Sequence, residues 1–173
     1  MPSAIRPVIT REQIQVRLRE LAARINRDYA GQEIILIGVL KGVFIFLADL
    51  IRLLTMPVRV DFVRLRSYGE SSTSSGRVVI TLDAELPLQD RNVLVVEDII
   101  DSGLTLDFLL QHLRKQGPRS LKVCCLTDKR ERRAIAIPLD YVGFTVEKGF
   151  LVGYGLDYAE NHRQYPDISE LDV

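Results

Sequence analysis

The chain has 173 residues, 47% of them hydrophobic, with 23 Lys and Arg against 23 Asp and Glu. That length buries one good core and is short for two, so a single domain is expected over 1–173. A formal net charge of zero leaves no global electrostatic footprint for nucleic acid and favours a small ligand.

In chain order, Thr10 to Gln13 matches the S/T-x-x-E/Q capping box. Ile14, Leu18, Leu21 and Ile25 follow at helical spacing, which predicts an amphipathic helix ending near Gly31. Ile34 to Val39 reads as an apolar strand, Val43 to Leu54 as a helix, and Val58, Val60 and Phe62 as an alternating strand. Ser67 to Arg77, SYGESSTSSGR, is a polar loop, and Val78 to Leu82 is the next strand. Pro87 and Asp90 mark a turn before Val93 to Val96, a β-branched and aliphatic run suited to a strand buried on both faces. A helix is predicted from about Thr105 to Gln116, with a Gly117-Pro118 stop and a strand at Leu121 to Leu126. Tyr141 to Asp157, rich in Gly, Phe and Tyr, reads as extra strands outside the core. Alternating strands and helices predict an α/β fold, with a mainly parallel twisted sheet and helices on both faces.

The longest apolar stretches are broken by Lys41 and Asp49, well short of the ~20 residues a membrane span needs, so no membrane association is expected. MPSAIRPVIT lacks the apolar core and cleavage site of a secretory signal, which favours the cytoplasm. Cys124 and Cys125 are adjacent on a strand, point to opposite faces, and read as inert core thiols. His112 belongs to a helix surface, and His162 carries no assignable role.

The most chemical segment is VLVVEDIIDSGLT, Val93 to Thr105. In a parallel sheet, ligands sit at the carboxyl ends of the strands. Ser102, Gly103, Leu104 and Thr105 place small and hydroxyl residues where unpaired N–H groups at a helix start can cradle a phosphate. Glu97, Asp98 and Asp101 beside such a nest would repel the ligand unless they bind sugar hydroxyls, hold a divalent cation or exchange a proton. A sugar phosphate with Mg²⁺ meets those requirements. Taken alone, the same pattern also fits a helix cap with a solvated acidic first turn.

The segment resembles the phosphoribosyl-diphosphate-binding motif of type I phosphoribosyltransferases, and ED-II-DSG resembles their purine branch, the hypoxanthine-guanine phosphoribosyltransferases. Three further segments are similar to that family, in its order, between about Ile34 and Arg163. VLKG-VFIFLADL looks like the diphosphate-binding loop, in which the peptide before the lysine is often cis; Lys41 and Gly42 would serve there. LKVCCLTDK ends in Lys129, which the resemblance places on the 6-oxo group of a purine. KGFLVGYGLDYAENHR looks like the C-terminal signature: Phe150 would stack on the purine, the Leu151 backbone would meet its edge, Asp157 would bind a second Mg²⁺, and Arg163 would bind the diphosphate. By position alone, Lys41 is a strand-end lysine, Arg130 to Arg133 a solvated charge run, and Phe150 a core aromatic. Leu104 departs from the family, some members of which carry a basic residue there.

The resemblance implies a core of about 34–140, with a small hood from the terminal segments. It implies transfer of the 5-phosphoribosyl group from phosphoribosyl diphosphate to hypoxanthine or guanine. Asp101 would accept the base's proton, Glu97 and Asp98 would hold the ribose hydroxyls and a water-linked Mg²⁺, and Ser102 to Thr105 the 5-phosphate. Ser67 and Tyr68 would open a mobile lid. A homodimer or homotetramer is expected. Two other readings remain at this stage: a nucleotide-sensing regulatory protein on the same fold, and a xanthine-preferring enzyme. Zero net charge and the absence of an appended helix-turn-helix count against the first.

Overall fold

The computed structural model describes residues 5–68 and 77–172. A first strand, β1 (Ile5–Ile9), leads into α1 (Arg11–Asp28), whose start is the expected capping box: Gln13 N–H donates to Thr10 Oγ1 at 3.3 Å, and Thr10 N–H to Gln13 Oε1 at 2.8 Å. The helix buries Ile14, Leu18, Leu21 and Ile25 on one stripe. After β2 (Ile34–Leu40), α2 covers Phe44–Ile51. It stops a turn before the predicted Leu54. Asn26 of α1 captures its end, donating to the Leu53 carbonyl and accepting from Thr55 N–H.

β3 (Val58–Tyr68) and β4 (Arg77–Leu82) follow, then β5 (Asn92–Ile100), α3 (Leu104–Arg114), β6 (Ser120–Lys129), β7 (Tyr141–Val146), β8 (Leu151–Val152) and β9 (Ile168–Leu171). The main sheet has the order β4-β3-β2-β5-β6-β7, parallel throughout except for β4, which runs antiparallel along β3 at one edge. A second sheet, β1-β9-β8, joins the two ends of the chain as the expected hood.

One expectation is corrected here. Tyr141 to Val146 does not lie outside the core: β7 pairs parallel with β6 and closes the main sheet with Tyr141 buried. The Gly and aromatic content suggested irregular strands, but its alternating pattern packs Tyr141 against α1, where its hydroxyl donates to Asp28 at 2.7 Å. Only the residues beyond it turn into the hood.

Helices cover both faces. α1 and α2 pack with Ile34, Leu36, Leu94, Val96, Cys124 and Leu126 on one side, and α3 packs with Ile35, Ile37, Val93, Val95, Val123 and Cys125 on the other. The alternation along each strand feeds two apolar layers, which is why these strands read as unbroken apolar runs. The two cysteines are buried and free, one in each layer, and burial pushes the Cys124 thiol up to about 12, so neither is a nucleophile at neutral pH. Among the described residues, no helix is long and apolar enough to cross a membrane.

Candidate active site

The carboxyl ends of β2, β5 and β6 converge on one side of the main sheet, and the hood loops close over them. A cavity of about 430 Å³ forms there, and an adjoining one of about 280 Å³ runs toward the start of α3. Both are walled by Glu97, Asp98 and Asp101, so the acidic segment is the divider of a continuous cleft.

Each wall follows from local structure. β5 runs past the predicted Val96 because β6 continues to pair with it, Glu97 opposite Cys125 and Ile100 opposite Asp128. Glu97 and Asp98 are therefore carried by the end of a strand rather than by a loop, and both face the cleft. Burial and the neighbouring Asp98 push the Glu97 carboxyl well above the usual glutamate range. Burial also raises Asp98, with partial relief from the Glu97 side chain and the Ile99 N–H. Two adjoining carboxyls raised in this way would be stabilised in their charged form by a cation or by hydroxyl donors placed between them.

Gly42 faces Asp98. A Cβ at position 42 would stand 1.8 Å from Asp98 Oδ2, and one at Gly155 would stand 2.1 Å from the Gly42 carbonyl oxygen. The loop after β2, the β5 acids and the hood thus approach one another at a distance only glycine permits. The Leu40–Lys41 peptide is cis. Lys41 Nζ lies 3.0 Å from Glu160 Oε2, and Arg163 reaches Glu160 at 3.2 Å, Asp157 at 3.0 Å and the Gly155 carbonyl at 2.7 Å. These contacts hold the Glu160 carboxyl below the usual range, Lys41 contributing most.

Beyond β5, Gly103 starts α3 at φ +88, a left-handed conformation that costs a glycine little. Ser102, Gly103 and Thr105 line the smaller cavity. Leu104 lines neither and is exposed, contributing its N–H to Ser102 Oγ at 3.3 Å.

Asp101 lies between the two ends of the cleft. Its Oδ2 is 3.9 Å from Lys129 Nζ, while its Oδ1 is shut off from solvent without a hydrogen-bond partner among the described residues. A buried carboxylate oxygen with no donor is costly unless another group meets it in the working state. Lys129 is itself buried at the end of β6 and also pairs with Glu131 at 3.4 Å. Phe150 stands part-exposed on the cavity wall, its ring edge-on to Tyr158 at 5.3 Å, with Leu151 beside it.

The fold therefore gathers ten sequence-predicted residues around the larger cavity: Lys41, Gly42, Glu97, Asp98, Asp101, Lys129, Phe150, Leu151, Asp157 and Arg163. It does not bring Ser67 and Tyr68 to the cleft; they end β3, exposed, and residues 69–76 of the expected lid lie outside the described residues. Among the described residues, no three or more His, Cys, Asp or Glu side chains cluster closely enough to hold an ion by themselves. Sequence reasoning missed Glu160, which bridges Lys41 and Arg163, and Arg64 and Arg66, which reach the cavity from β3. It dismissed Arg133 as a solvated charge, although that side chain is mostly enclosed. The only available signal for Glu160 was an acid three residues before a predicted diphosphate ligand.

A small-residue turn at a helix start, adjacent acids and two cations at the far end, all at the carboxyl edge of a mainly parallel sheet with a terminal hood, match the architecture of type I phosphoribosyltransferases. The phosphoribosyl transferase domain family matches residues 9–159, and the chain belongs to it. It is 45% identical to the hypoxanthine-guanine phosphoribosyltransferase of Mycobacterium avium, over 99% of this chain and 88% of that one. A crystal structure of a hypoxanthine-guanine phosphoribosyltransferase from Bacillus anthracis, with a HEPES molecule in the active site, superposes with a TM-score of 0.92 at 46% identity, covering 96% and 98% of the two chains. The hypoxanthine phosphoribosyl transferase of Trypanosoma cruzi, described for the role of its C-terminal region in oligomeric state and enzymatic activity, gives 0.90 at 41%, covering 96% and 90%.

Proposed function

We infer that the chain is a purine salvage enzyme transferring the 5-phosphoribosyl group from phosphoribosyl diphosphate to hypoxanthine or guanine, giving IMP or GMP and diphosphate. The observation that carries this reading is Asp101: a buried carboxylate oxygen, unpartnered among the described residues, between the Ser102 to Thr105 turn and a wall bearing Lys129 and Phe150.

In this reading the N–H groups from Ser102 to Thr105 hold the 5-phosphate, helped by the partial positive charge at the start of α3. Glu97 and Asp98 take the ribose hydroxyls. Lys41, the Gly42 backbone and Arg163 receive the diphosphate once Glu160 releases the two side chains. Phe150 stacks on the base, the Leu151 backbone meets its edge, and Lys129 donates to the 6-oxo group. A fixed donor there meets the amino group of adenine without an acceptor, which disfavours adenine. The bond from the anomeric carbon to the diphosphate breaks as the base's imidazole-ring nitrogen attacks. The ring proton passes to Asp101, and the electron pair leaves with the diphosphate.

The donor set fits Mg²⁺. Glu97, Asp98 and Asp157 are hard oxygen ligands on the cleft wall, and with few protein ligands in any one place the ion would share its shell with substrate oxygens and water. Bound there, it would stabilise charge on the departing diphosphate. Ser67 and Tyr68 begin the segment that would close over the reacting sugar and exclude water. A cytoplasmic homodimer or homotetramer completes the reading; its oligomeric part is in keeping with the relative from T. cruzi, described for the role of its C-terminal region in oligomeric state.

The test is a panel of hypoxanthine, guanine, xanthine and adenine with phosphoribosyl diphosphate and Mg²⁺, following nucleotide formation. Turnover of the first two with adenine inert is expected; no nucleotide from either would overturn the assignment.

A further inference from the structure

The guanidinium of Arg133 lies behind the cleft wall, lining neither cavity, and makes an unusual set of contacts. Its Nε donates to the Asp101 carbonyl at 2.9 Å, and its Nη2 donates to the carbonyls of Ile100 at 3.3 Å and Lys129 at 3.2 Å and pairs with the Asp128 carboxylate. One planar group thus ties the backbone that carries Asp101 to the backbone that carries Lys129. The segment following it props the phosphate turn as well, since Ala134 N–H donates to the Ser102 carbonyl at 2.9 Å.

We propose that Arg133 is a positioning residue that sets Asp101 against Lys129, so that the proton acceptor meets the ring nitrogen of a base whose 6-oxo group Lys129 holds. The proposal rests on the purine-transfer reading above and deepens it. Neutralising Asp128 does not by itself account for the geometry: Arg130 already stands 3.5 Å from the other oxygen of that carboxylate, and the three carbonyl contacts contribute nothing to the charge balance. The carbonyls belong to the two residues that must act on one base, Asp101 and Lys129, and to Ile100 next to the first. A lysine could keep the charge but not the planar fork that reaches both strands.

The experiment uses Arg133→Lys and the double variant Arg133→Met/Asp128→Asn, which leaves no unpaired buried carboxylate. Each is measured in the wild-type and the Asp101→Asn background. With melting temperatures near that of the parent, both are expected to lose about 10–100-fold in kcat, the scale of a misplaced reacting group. KM for hypoxanthine should rise, while KM for phosphoribosyl diphosphate stays within about 3-fold of wild type. In the Asp101→Asn background most of that loss should vanish, because a residue that acts through Asp101 has little left to position. Unchanged kcat, or a loss that multiplies fully with that of Asp101→Asn, overturns the proposal. So does failure of both variants to fold, which would make Arg133 a determinant of the fold alone. If the wild-type protein forms no nucleotide from hypoxanthine, the underlying functional reading fails instead.

Discussion

The Lys41 ammonium and the Glu160 carboxylate meet at 3.0 Å across the mouth of the cleft, and Arg163 contacts the same carboxylate oxygen at 3.2 Å. Glu160 thus neutralises the proposed diphosphate site, and a diphosphate would have to displace it. Glu160→Gln should then tighten diphosphate binding by about 2–5-fold at low salt, the scale of losing an exposed competing charge. Titration calorimetry at two ionic strengths checks it: the gain should shrink as salt screens the cleft. Weaker binding would mean that Glu160 instead orients the two cations for the ligand.

Asp101→Asn keeps the shape and removes the proton acceptor. Turnover should fall by roughly 10²–10⁴, while the dissociation constant for phosphoribosyl diphosphate changes little. Stopped-flow and equilibrium binding separate the two quantities. Wild-type turnover would assign the proton to another group.

Lys129→Gln replaces the buried donor at the end of β6 by an amide that can donate or accept. KM for hypoxanthine and guanine should rise, and their advantage over adenine should narrow. Ratios among the three bases that match wild type would reduce Lys129 to a partner of Glu131.

Glu97 predicts a pH dependence of stability. Its carboxyl is raised well above its unfolded value by burial and by Asp98, so the folded state keeps a proton that the unfolded state gives up. Its contribution to stability is therefore greatest below the unfolded value of about 4.3 and declines as the pH rises from there toward the folded value. Glu97→Gln is neutral throughout and should melt higher than the ligand-free wild type at neutral pH, at roughly 2–4 °C per kcal/mol relieved. The difference should close on acidification to about pH 4. Melting curves that stay parallel from pH 4 to 8 would show that this carboxyl is not strained by burial.

Much of this molecule is legible along the chain. The capping box at Thr10, the unbroken apolar runs of β2, β5 and β6, and the helical spacing after Gly103 are local patterns, set by backbone hydrogen bonding and by the period of side-chain direction. The place of the acidic segment was legible for the same reason: acids followed by a small-residue turn mark the passage from the end of β5 to the start of α3. Tertiary structure decided what depends on neighbours distant in sequence. β7 joins the main sheet because β6 offers its edge, a fact absent from the composition of residues 141–146. Glu160 matters because the hood brings it to Lys41, more than a hundred residues earlier, and Arg133 is a brace rather than a solvated charge because three carbonyls and a carboxylate converge on it. Local sequence specifies which side chains a segment carries and how they point from it. Which opposite charges and orphaned carbonyls they meet follows only from packing the whole chain, where each buried polar group must find a partner.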